Sequence, residues 1–158
     1  MANVVYNSYK RNMVTQTVDV SFNNGSSGFG VALTSGYRTM AAETDSWNTI
    51  SAYEITSQSD YARRALANIT VTSADGGVTS IDDYIIVNAD DTNFGTSATL
   101  VADGAIVFKY ASAATSAAPN APHAIVCFVD FGSTKSSSNG SYTIVWNNAG
   151  ILNYKQGT

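Results

Sequence analysis

In the stretch "SYTIVW" the apolar residues fall on every second position, Tyr142, Ile144 and Trp146 on one side and Ser141, Thr143 and Val145 on the other. A period of two puts the first set on the covered face of a half-buried strand, with Trp146 beside Ile144 in the core. Asn139-Gly140 before it and Asn147 to Gly150 after it tolerate positive φ, so a reversal is expected at each end, with Ile151 to Tyr154 returning as a partner strand. Alternation also marks Val18 to Phe22 and Asn68 to Thr72. Apolar runs mark Phe29 to Leu33, Tyr84 to Val87, Ala105 to Tyr110 and Ala124 to Phe131, and Ser51 to Ile55 and Thr99 to Val101 are shorter strand candidates. Val18 to Phe22 and Phe29 to Leu33 form a hairpin pattern around the loop Asn23 to Gly28.

Helical spacing is confined to two places. From Val4 to Met13, the residues Val5, Tyr6, Tyr9 and Met13 recur at spacings of three and four, which predicts a short amphipathic helix. In "TDSWNTI" either Thr44 or Asp45 can cap a single helical turn around Trp47. Asp75-Gly76-Gly77 predicts a turn, and Ala111 to Pro122, with small residues and two prolines, predicts a surface loop. Many short strands at close spacing predict an all-β fold, a β-sandwich or jelly-roll-like barrel with one or two short helices. The 158 residues form one domain, 1–158, in which residues 1–14 are an arm or a short helix.

Composition narrows the function classes. Only 13% of residues are charged, and Ser, Thr and Asn carry the polar load, a mix that suits strands and turns. The net charge of −4 lacks the basic field of a nucleic-acid binder, and Lys10-Arg11 and Arg63-Arg64 are isolated basic pairs. No stretch reaches the length of a membrane span, and Met1 to Tyr6 has no apolar leader core, so synthesis and folding in a cytoplasm are expected.

Candidate chemistry is thin. Cys127 is the single cysteine and lies inside an apolar run, where it packs as a small hydrophobe. His123 is the single histidine and has no second histidine or nucleophile elbow to work with, so neither a triad nor a zinc site is expected. Asp82-Asp83 and Asp90-Asp91 lack calcium-loop spacing, and turn formation is their expected role. No carboxylate pair is selected for glycoside hydrolysis, and the Gly-rich stretch Asn23 to Gly30 lacks the lysine of a phosphate loop. The reading is therefore a non-enzyme with no metal and no cofactor. Exposed aromatics on a β-sandwich can stack on sugars, so Trp47 and Tyr37 are the residues on which a carbohydrate-binding alternative depends.

"YNSYKRNMV" from Tyr6, "SWNTISAYEI", "YARRALANITVT", "VNADDTNFGTSATLVADGAIVFKY" and "CFVDFGSTKSSSNGSYTIVWNNAGIL" resemble a family of small virion proteins of tailed bacteriophages, described as head decoration, cement or minor structural proteins. The likeness runs along most of the chain, and its closing Asp-Phe-Gly, Asn-Gly and Trp-Asn pattern is its most specific part. The loop Asn23 to Gly28 and the pair Arg63-Arg64 depart from the family pattern without breaking the strands. The resemblance implies attachment to the outer surface of an assembled head through the major capsid protein. The alternative is a carbohydrate- or receptor-binding module of a tail fibre, neck or baseplate.

A shell offers threefold seams, so a homotrimer is expected, with weak contacts multiplied by effective concentration. Tyr6, Lys10, Trp47 and Tyr154 are the expected interface residues, the terminal ones because chain ends are free to reach a neighbour unless tied into the core. On that expectation, deleting residues 2–10 spares the β fold while abolishing particle binding.

Overall fold

The computed structural model describes residues 4–15, 28–36, 47–74, 84–110 and 124–155. Expectations for Val18 to Phe22, the loop from Asn23, Tyr37, the Thr44 or Asp45 cap, Asp75 to Gly77, Asp82-Asp83, Ala111 to Pro122 and His123 lie outside them. In chain order the elements are β1 (Val4–Val5), α1 (Asn7–Thr15), β2 (Phe29–Thr34), α2 (Trp47–Ser51), β3 (Arg64–Ala65), β4 (Thr70–Ala74), β5 (Tyr84–Asn88), β6 (Thr92–Lys109), β7 (Ile125–Ile144) and β8 (Leu152–Lys155). Among the described residues the fold is all-β with two short helices, as the alternating pattern predicts.

Two antiparallel sheets form, one ordered β1-β7-β6-β2-β3 and the other β4-β5-β8. The long β6–β7 pair is the spine of the first sheet. Where β6 lies between β7 and β2, from Gly104 to Phe108, every residue is buried, which is why that part of the chain is a continuous apolar run. Farther along, from Thr92 to Leu100, buried and exposed positions mostly alternate. Side chains of both sheets and of α1, among them Tyr9, Phe29, Val87, Phe94, Ile106, Phe128 and Leu152, join one hydrophobic core.

Several expected elements are redrawn. Thr99 to Val101 and Ala105 to Tyr110 are parts of the single strand β6, although Tyr110 itself falls just beyond it. Ala124 to Phe131 and Tyr142 to Trp146 are likewise parts of, or continuous with, the single strand β7. Asn139-Gly140 is therefore no reversal. Asn139 does have φ 48°, but the ladder passes from Leu100 opposite Ser137 to Ala98 opposite Gly140, so the positive φ is absorbed in a bulge. A larger irregularity lies between Ala102 opposite Lys135 and Gly104 opposite Asp130, where Phe131 to Thr134 face the single residue Asp103. Gly132 there has φ 73° and its N–H donates to Asp130 Oδ1 at 2.7 Å.

Ser51 to Ile55 is not a strand. Ser51 ends α2, and only Glu54 makes an isolated bridge, to Thr34. The segment Ile151 to Tyr154 does return as a strand, but β8 pairs with β5 rather than with Tyr142 to Trp146. Gly150, at φ 89°, redirects the chain into the second sheet, and the Ile151 N–H donates to the Val87 carbonyl at 2.8 Å.

Gly104 marks the tightest approach inside the spine. A Cβ there would run into two ring carbons of Phe128, in a buried position. Gly104→Ala is expected to lower unfolding stability by about 1–3 kcal/mol through overpacking, read by urea denaturation. An unchanged midpoint would mean that the Phe128 ring has room to give way.

Candidate functional site

Of the four expected interface residues, one is buried, two are half-buried and one is exposed. Tyr6 is 0% exposed and its N–H donates to the Val126 carbonyl at 3.1 Å, so its side chain is part of the core rather than of the surface. The N-terminal segment is accordingly no free arm: β1 pairs with Cys127 and Phe128 of β7, and Tyr9 of α1 enters the core. Deleting residues 2–10 would remove a strand and two core tyrosines, so the deletion is expected to destabilise the fold rather than spare it. Tyr154 is half-buried, hydrogen-bonded to Tyr9, and donates its hydroxyl to Met13 Sδ at 3.6 Å. The two chain ends thus hold each other. Lys10 alone of the four is exposed.

Trp47 is half-buried, its ring 5.1 Å from that of Phe108, with the Arg63 guanidinium 4.8 Å from its centroid. Trp146 is buried, as its alternation predicts, and its Nε1–H donates to Thr92 Oγ1 at 3.1 Å. Neither tryptophan is an open platform for a sugar. Asp91 accepts the Trp146 N–H at 3.1 Å and Asp90 accepts from Asn68 Nδ2 at 2.6 Å, so these two bonds tie segments 55 and 22 positions away rather than close a turn of their own. Among the described residues no three His, Cys, Asp or Glu side chains group as metal ligands.

The polar centre of the molecule is one that sequence reasoning missed. Glu54, with its side chain 2% exposed, accepts Arg63 Nε on Oε1 and Arg63 Nη2 on Oε2, each at 2.6 Å. The Tyr61 hydroxyl donates to Glu54 Oε1 at 2.6 Å and accepts the Leu33 N–H at 3.2 Å. Burial, then the Glu54 charge, push the Tyr61 hydroxyl far above the ordinary tyrosine range, and the hydrogen bond to Glu54 raises Arg63 further. The Arg63-Arg64 pair has a role here: Arg63 neutralises Glu54, and Arg64 Nη2 donates to the Phe94 carbonyl at 2.9 Å. Glu54, Tyr61 and Arg63 pin the segment from Glu54 to Arg64 against β2 and β6 like a strap.

On the opposite side of the spine lies a groove. β1 covers only Cys127 and Phe128, and among the described residues no strand pairs with the outer edge of β7 from Val129 to Ile144. A groove of about 480 Å³ is lined by residues of that stretch, among them Asp130, Phe131, Lys135 and Ile144, together with Trp146 and Ile151. Val145, also lining it, is 73% exposed. Tyr142 sits in the same bend, its hydroxyl pushed up to about 12 by burial and by the Asp103 charge. This concave, aromatic-lined strand edge is the candidate contact site. Comparison with protein-family models, with curated proteins and with solved structures gives no match to this chain.

Proposed function

We propose that the protein is a non-catalytic structural component of a tailed-phage particle, a decoration or cement module held on the outside of the head by the major capsid protein. The open outer edge of β7 beside its groove carries this reading, because a strand edge offers backbone donors and acceptors, and a neighbouring hollow takes side chains. The likeness of the closing stretch from Cys127 to Leu152 to small phage virion proteins supports it. That same stretch builds the edge, the groove and the turn beneath it. An acidic chain suits the outer face of a shell better than an inner face that meets DNA. Three copies around a threefold seam fit the reading, with contacts through β7 in place of the chain ends. The carbohydrate-binding alternative gains nothing from Trp47 and Trp146, whose rings are already packed.

Val145→Arg places a long charged side chain at the groove on an exposed position and leaves the core untouched. The variant is expected to keep its melting temperature and to lose at least about tenfold in affinity for particles stripped of the protein, a change of about 1.4 kcal/mol. Binding is read by co-sedimentation, and copy number by quantitative mass spectrometry of purified particles. Wild-type occupancy by the variant, or a copy number of only a few per particle, would overturn the assignment.

A further inference from the structure

β2 pairs with β6 only from Gly104 to Lys109, so among the described residues no strand pairs with the same edge of β6 from Thr92 to Asp103. There the strap puts side chains where a strand would put peptide groups. Gln58 Nε2 donates to the Val101 carbonyl at 2.9 Å, and Gln58 Oε1 accepts the Val101 N–H at 2.7 Å. Asp60 Oδ2 accepts the Thr99 N–H at 2.8 Å. A carboxamide carries the same donor and acceptor as a peptide group, so Gln58 satisfies Val101 as a residue directly opposite it in an antiparallel ladder would.

We infer that the strap is an edge guard, and that Gln58 and Asp60 conceal a self-association edge whose occupant, once they are lost, is the same edge of a second copy of this chain. The bonding pattern selects that occupant. The two bonds that Val101 makes to one Gln58 are those it would exchange with Val101 of a second copy across a twofold axis. Antiparallel pairing about that axis sets Thr99 opposite Asp103, and each Val101, 41% exposed, covers its counterpart. An unguarded edge of this kind is a template for pairing between identical chains, and polar side chains that saturate it end the sheet instead. Glu54, Tyr61 and Arg63 remain anchored in this process, so the part that must move is residues 56–60. The inference stands apart from the proposed function, since it concerns β6 and not β7.

Gln58→Ala/Asp60→Ala is expected to double the mass of the protein relative to wild type at the same concentration, by light scattering after size exclusion. In dilute solution, amide exchange at Val101 is expected to quicken about tenfold, the equivalent of one lost hydrogen bond. Adding Val101→Pro removes the N–H that the pairing needs and returns the wild-type mass. A folded double variant that keeps the wild-type mass at every concentration overturns the inference, as does a doubled mass that survives Val101→Pro. Should the double variant fail to fold, Gln58→Met, which keeps length and volume while losing both bonds, is read by the same two outcomes.

Discussion

Glu54→Ala is expected to cost about 3 kcal/mol of unfolding stability, or about 10 °C in melting temperature for a chain of this size. The carboxylate is almost wholly buried and accepts three bonds at once, two from Arg63 and one from Tyr61. Removing it strips the half-buried guanidinium of its bidentate acceptor and the Tyr61 hydroxyl of the oxygen it donates to. Desolvated charge without its partner is what makes the loss large; replacing the pair with apolar residues of similar volume, Glu54→Leu/Arg63→Leu, is expected to cost less than Glu54→Ala alone. Glu54→Gln keeps an acceptor oxygen and falls between wild type and Glu54→Ala. Thermal melts and urea titrations of the set check the order. A melting temperature for Glu54→Ala within a degree or two of wild type would show that the strap is held by something other than this cluster.

The second large effect is alkaline. Burial pushes the Cys127 thiol from 9.0 up to about 12, and burial also carries the Tyr9 and Tyr61 hydroxyls far above their ordinary 10.0. In each case the fold holds the neutral form, so the unfolded chain releases the proton first. These groups contribute their full stability below pH 9. That contribution declines as pH rises past the unfolded Cys127 value and falls more steeply past 10, where the two tyrosines join it. Each group costs about 1.4 kcal/mol per pH unit over that window. Three together exceed the reserve of an ordinary domain, about 5–15 kcal/mol, within a few pH units. Cooperative unfolding is therefore expected above pH 10, with tyrosinate absorbance of the buried rings rising together with loss of the β signal in circular dichroism. Complete tyrosine titration near pH 10 in a protein that stays folded would contradict the burial of Tyr9 and Tyr61.

Much of the core was legible locally. Tyr142, Ile144 and Trp146 alternate in sequence and are buried together, and Cys127 is buried within its apolar run. Tyr9 and Met13 carry the helical spacing of α1, although Val4 and Val5, both β-branched, go to a strand instead and Tyr6 falls between the two elements. The side-chain period reports which face of an element is covered. It does not report whether the element continues. Asn139 carries the positive φ that its residue type suggests, yet the same backbone state serves a bulge inside β7, because the partner strand β6 is long enough to keep pairing on both sides.

Alternation and residue type alone thus determined the all-β character, the buried face of the closing strand and the burial of the lone cysteine. Tertiary structure decided the rest: that β8 pairs with β5, that Tyr9 meets Tyr154 across the two chain ends, that Gln58 reaches Val101 across 43 positions, and that β7 leaves one edge and a groove open. The physical reason is that burial of a face follows from the period of one segment, whereas a hydrogen bond or an open edge depends on which second segment lies beside it. Register, bulges and bends set that neighbour, and they emerge only when the whole core closes.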